Sequence, residues 1–189
     1  MDRYYKKLSM FLINNKYIDS NDAELYEYAT KVLFQSIINT VVTIAIGLIF
    51  GMLKECLCFI AVFMILRKFT GGLHAKKYIN CLLGSIFLII ISLVIIKFLG
   101  KYNFQIEFLY LVGISIMVIC VLAPMEHYNK TLKSKEKKVY KCISVILSLC
   151  FYVICLLLIN NNFVIAYSFG TALMNLAILL IISYLKSCF

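Results

Sequence analysis

Apolar residues run along this chain in six blocks separated by short polar stretches. The first covers Leu33–Leu53. The second runs from Glu55 to Leu66, which is short, because roughly 20 residues are needed to cross the hydrocarbon of a bilayer. It is expected to continue through Arg67–Thr70, with the charged heads reaching up to the interface; a re-entrant segment is the alternative. The remaining blocks are Ile79–Leu99, Ile106–Pro124, Cys142–Ile159 and Phe163–Leu185. A backbone in hydrocarbon must satisfy its own hydrogen bonds, so these blocks predict helices. The strict alternation that marks a membrane barrel strand is absent. The expected fold is therefore all-α: a polytopic membrane helix bundle of about six hydrophobic segments, forming one integral membrane domain over residues 1–189. Residues 33–185 would make the transmembrane bundle.

Residues 1–32 carry a different pattern. Tyr4, Leu8, Phe11 and Leu12 recur at helical spacing, with Lys6, Lys7 and Lys16 off the stripe. That suits an amphipathic helix lying on the membrane surface. Asn21 followed by Glu24 resembles a helix start, and Leu25, Tyr28, Ala29 and Val32 continue one apolar face. This region predicts cytoplasmic or interfacial amphipathic helices, and no stretch of it reads as a cleavable signal peptide.

Composition agrees with the membrane class. The chain is 63% hydrophobic, against about 45–50% in soluble domains. Charge then sets an orientation. Formal net charge is +10, and the cations fall between the apolar blocks. With the N-terminus inside, one side collects Arg3, Lys6, Lys7, Lys16, Lys31, Arg67, Lys68, Lys76, Lys77, Lys186 and the six lysines between Lys130 and Lys141. The other side holds Lys54, Lys97 and Lys101. This 16 to 3 division predicts a multi-pass protein of the cell membrane with both termini cytoplasmic. It also accounts for the positive charge without nucleic acid, for which no basic-aromatic surface is evident.

Among the eight cysteines, seven lie in or beside apolar runs, where cysteine packs as a small hydrophobe. Cys81 differs. It lies seven residues after His74, in Arg67-Lys68-Phe69-Thr70-Gly71-Gly72-Leu73-His74-Ala75-Lys76-Lys77-Tyr78-Ile79-Asn80-Cys81. A thiol attacks as thiolate, and a nearby imidazole can take its proton. On one straight helix the two residues would stand about 10.5 Å apart along the axis, too far for a hydrogen bond of about 2.6–3.2 Å. They cannot both sit on one regular helix. Gly71-Gly72 offers the break, so the chain is expected to fold back after it. Cys81 would then stand in an early turn of the third span, where the helix dipole favours a thiolate. His127 lacks a cysteine at comparable spacing and reads as a solvated loop residue. No acid stands near His74, so no metal site is expected, nor any other cofactor. Glu55, Glu107 and Glu126 sit at segment ends, which leaves no buried acid chain for proton transport.

At these residues the sequence resembles the accessory gene regulator protein B (AgrB) family. The match is to Arg67, Gly72, the His74-Ala75 pair and Cys81, between the second and third hydrophobic segments. The Ala123-Pro124 pair before a Lys-rich loop resembles the family too, as do length and layout. The resemblance implies a membrane cysteine peptidase that processes an AgrD-like precursor peptide in quorum sensing. Cys81 would be the nucleophile, cutting off the precursor's C-terminal tail and holding the remainder as a thioester. His74 would be the general base, and a Cys or Ser of the precursor would close the ring. Arg67 and Gly72 match motif positions and would support the shape of the site; Lys76 and Lys77 would add charge that attracts an acidic tail. The resemblance leaves room for a homodimer. The competing reading is a small non-enzymatic transporter or assembly partner.

Overall fold

The computed structural model describes residues 10, 23–71, 78–102, 104–125 and 134–188, with backbone only at 23–25, 27, 28, 32, 78, 81, 187 and 188. These residues form six α-helices and no strand. They are α1 (Ala23–Ile49), α2 (Leu53–Thr70), α3 (Tyr78–Lys101), α4 (Gln105–Leu122), α5 (Ser134–Leu158) and α6 (Phe163–Cys188). All but α2 are long and apolar enough to cross a membrane. The chain is an all-helical, multi-pass membrane protein. Packing divides it into two units, Met1–Val42 and Thr43–Phe189.

Several boundaries move relative to the hydropathy pattern, for local reasons. Helix α1 ends at Ile49, four residues before the end of the first apolar block, because the chain turns at Gly51 with φ 66°. Helix α2 reaches Thr70, as expected, with Glu55 in its first turn and Arg67 and Lys68 in its last. Those charges match the helix dipole at both ends. It has the same 18 residues as α4, so its terminal charges, and not its length, separate it from the five apolar spans. Helix α5 starts at Ser134, eight residues before Cys142. Its lysines hide it from a hydropathy reading, yet Lys and Glu are good helix formers, and Glu136 suits the first turn. The second N-terminal amphipathic stretch is continuous with α1 and not a separate short helix; the first, from Tyr4 to Leu12, lies outside the described residues except for Met10.

Within residues 43–189 the core is built around α6, which packs against α2, α3, α4 and α5. Ala166, Tyr167, Ala172, Leu173, Leu176 and Leu180 are fully buried along it. Each neighbour presents one stripe at helical spacing: Cys56, Phe59, Val62, Leu66 and Thr70 from α2; Ile89, Ser92, Leu93 and Ile96 from α3; Phe108, Val112, Ile116 and Ile119 from α4. Small residues let the backbones approach, as is usual where lipid removes the hydrophobic drive between helices. At Gly170 an added Cβ would overlap the Phe108 ring, and at Gly47 it would stand 2.8 Å from the Cys56 Cβ. Polar groups knit the same surfaces. Asn175 Nδ2 on α6 donates to Ser92 Oγ on α3 at 2.7 Å, and Ser92 Oγ donates in turn to the Leu88 carbonyl at 2.6 Å.

Three short connections lie at one end of this bundle: Phe50–Met52, the link from α3 to α4 with Tyr102 and Phe104, and Ile159–Asn162. Asn162 starts α6, its Oδ1 3.5 Å from the Ile165 amide and its carbonyl accepting from Ala166 at 3.1 Å. The opposite end holds the C-terminal ends of α2 and α4 and the start of α3, and with them the residues singled out for chemistry.

Candidate functional site

Helix α2 delivers the first part of the motif. Arg67 stands half-buried in its last turn, and the Arg67 carbonyl accepts the Gly71 amide at 3.2 Å. Thr70 closes the helix, fully buried. Gly71 follows with φ 68° and ψ −145°, a conformation that essentially only glycine adopts. Here the chain leaves the helix direction. The first glycine of the pair thus provides a break, as the sequence predicts.

What holds the break is a partner from another helix. After α4, Ala123 is extended, the chain bends at Pro124, and Met125 passes the end of α2. The Met125 amide donates to the Thr70 carbonyl at 2.9 Å, and Gly71 and Met125 form an isolated parallel bridge. A Cβ on Gly71 would overlap the Met125 carbonyl oxygen. Glycine is therefore required at 71 both by dihedral and by space. The Ala123-Pro124 bond is cis, and Ala123 is buried.

Helix α3 begins at Tyr78 and carries Cys81 in its first turn. Among the described residues of this helix, the amides of Tyr78, Ile79, Asn80 and Cys81 are the ones without a partner carbonyl. A negative charge near that turn is favoured by them and by the dipole. The Cys81 side chain, and Gly72, His74, Lys76 and Lys77 altogether, lie outside the described residues, as does His127. The structure therefore brings Arg67, Thr70, Gly71 and Met125 together, and it gives Cys81 a backbone position.

The surrounding charge is positive. Phe69 on α2 meets Tyr140 on α5 edge to face, with centroids 5.9 Å apart. That contact brings the basic start of α5, with Lys135, Lys137, Lys138 and Lys141, to the end of α2 that carries Arg67 and Lys68. An acidic peptide segment would be drawn to such a rim by long-range attraction. Thr70 is the residue that sequence reading passed over. Its Oγ1 is buried and has no hydrogen-bond partner among the described residues. A threonine beside a glycine pair in a basic motif was the available signal. Met125 carried no signal of its own beyond its place after the Ala123-Pro124 pair.

Comparison with known proteins adds a relationship over most of the chain. The family described as Accessory gene regulator B matches residues 5–186. An AgrB-like protein 2 of Clostridium perfringens is 35% identical over 127 residues, covering 64% of this chain and 58% of that protein. An AgrB-like protein of Clostridium beijerinckii is 26% identical over 147 residues, 76% of this chain and 70% of that one. Protein FsrB of Enterococcus faecalis is 26% identical over 167 residues, 85% of this chain and 66% of that one. The first of these alignments spans under two thirds of the relative's own length. No solved structure matches.

Proposed function

Because this chain belongs to the accessory gene regulator B family, we propose that it is a membrane cysteine endopeptidase of quorum sensing. It removes the C-terminal tail of an AgrD-like precursor peptide and cyclises the remainder. The observation that carries this reading is local: α2 stops at Thr70 in a glycine break, and α3 restarts at Tyr78 with Cys81 in its first turn. Gly71 ends α2 before His74; in this reading the chain then folds back between Gly71 and Tyr78 and brings imidazole to thiol.

In this reading the His74 imidazole takes the Cys81 proton. The thiolate attacks the carbonyl carbon of the scissile peptide bond. The bond to the tail's nitrogen breaks, and His74 returns the proton to the departing amine. The peptide is now a thioester on Cys81. A Cys thiol or Ser hydroxyl within the same peptide then gives its proton to His74 and attacks that thioester. The new bond closes a thiolactone or lactone, the Cys81–acyl bond breaks, and the thiol is restored. Ring closure within one bound chain gains from high effective concentration. A site at the membrane surface under a basic rim would help keep water from the acyl-enzyme.

Arg67, Gly72, Lys76 and Lys77 shape this site or draw in the acidic tail. The site and both termini face the cytoplasm, in keeping with the charge division, and a homodimer is compatible with the scheme. The test is coexpression with a candidate precursor. Cys81→Ala and His74→Ala should each abolish cleavage while the protein still inserts in the membrane. Undiminished cleavage in Cys81→Ala would refute the peptidase, because a transporter or scaffold tolerates that change.

A further inference from the structure

At the end of the bundle away from the Gly71–Met125 bridge, the α1–α2 turn, the last turns of α3 and the start of α6 surround an open cleft of about 540 Å³. Its lining includes Gly51, Glu55, Ile96, Lys97, Gly100 and Lys101. We propose that this cleft is a binding site for the headgroup of an anionic glycerophospholipid of the phosphatidylglycerol type.

Charge is the first argument. Lys97 and Lys101 are four residues apart on α3, so they stand on one face a single turn apart, and both are exposed. Only three of the 19 cations, Lys54, Lys97 and Lys101, fall on this side of the membrane by the charge division, and two of the three line the cleft. Topology does not account for them, because the charge rule places cations on the other side. Glu55 enters from α2, so the lining carries two positive charges and one negative. A phosphodiester meets the two ammonium groups. A headgroup hydroxyl donates to the Glu55 carboxylate, which phosphatidylglycerol offers and phosphatidylcholine does not.

Shape and position are the second argument. The floor is Ile96, which is fully buried. Gly51 borders open space, since a Cβ there would meet nothing within 4 Å. Gly100 omits the side chain that would stand 3.7 Å from Val164 Cγ2. Below the lysines, α3 exposes Val94, Ile95 and Phe98, a surface for acyl chains. Phe98, Tyr102 and Phe104 form a run of ring contacts, with centroids 4.7 and 6.1 Å apart, as aromatic side chains do at the bilayer interface. A cleft that is charged at its mouth and continuous with apolar surface suits a lipid. A free anion would use only the first half of it.

The test is lipid retention by native mass spectrometry on the full chain, purified in mixed micelles with equal phosphatidylglycerol and phosphatidylcholine. The wild type should retain phosphatidylglycerol in preference. Each lysine near an anionic surface contributes about 1 kcal/mol, or about fivefold in affinity, so Lys97→Gln/Lys101→Gln should lose roughly 25-fold of the preference. Lys68→Gln, at the other end, should leave it unchanged. Glu55→Gln should lower discrimination between the two lipids and keep retention, with helical content by circular dichroism showing that each variant is folded. No preference in the wild type, or an equal preference in the double variant, overturns the site. So does displacement of the lipid by millimolar inorganic phosphate, which would assign the cleft to a free anion.

Discussion

The amide of Met125 donates to the carbonyl of Thr70 at 2.9 Å, and this bond ties the segment after α4 to the last residue of α2. It fixes the point at which the chain leaves α2. Gly71 sits inside the tie, with a glycine-only conformation and no room for a Cβ.

Gly71→Ala should therefore be costly. The dihedral alone is worth about 1–3 kcal/mol, and the overlap with Met125 adds to it. The thermal midpoint in detergent should fall by several degrees, and precursor cleavage should fall with it. Gly51→Ala is the comparison. Its φ is 66° but its surroundings are open, so only the conformational cost of about 1–2 kcal/mol applies, and cleavage should persist. Equal behaviour of the two variants would remove the special role of the Gly71–Met125 contact.

At the centre of the bundle, Gly170→Ala would drive a Cβ into the Phe108 ring and to 2.8 Å from Val112 Cγ2. Phe108 cannot simply yield, because its ring packs edge to face on the buried Tyr167 at 4.8 Å. Overpacking of this kind costs about 1–3 kcal/mol. Adding Phe108→Leu should recover part of the loss. A denaturation series in detergent on the two single variants and the double measures the coupling.

The Asn175–Ser92 hydrogen bond should make a modest contribution. Interhelical polar pairs in membranes average about 0.6 kcal/mol and reach about 1.7. A double-mutant cycle with Asn175→Leu and Ser92→Ala should return a coupling in that range. A value near zero would show that this bond does not join α3 to α6 energetically.

Much of the fold was legible from the pattern of apolar blocks, because lipid forces each block to be a helix. The break after α2 was legible from Gly71-Gly72, and the early-turn position of Cys81 from its distance to that break. Three features were not. The basic start of α5 looked like loop, since hydropathy cannot tell a solvated helix from a solvated turn. The Thr70–Met125 tie joins residues 55 positions apart, and nothing periodic announces such a pairing. The Asn175–Ser92 bond was hidden for the same reason, each partner being a lone polar residue in an apolar run. At the candidate site, the residue types pointed to His74 and Cys81 directly, whereas Thr70 emerged only once its burial was known.

The most direct test of the central claim is the intact mass of the purified protein after brief incubation with a precursor whose cyclising Cys or Ser is replaced by Ala. The account predicts a covalent adduct equal in mass to the tail-less peptide less one water, released by hydroxylamine, carried on Cys81 and absent from Cys81→Ala. Tail removal without any adduct, or an adduct that survives in Cys81→Ala, would contradict it.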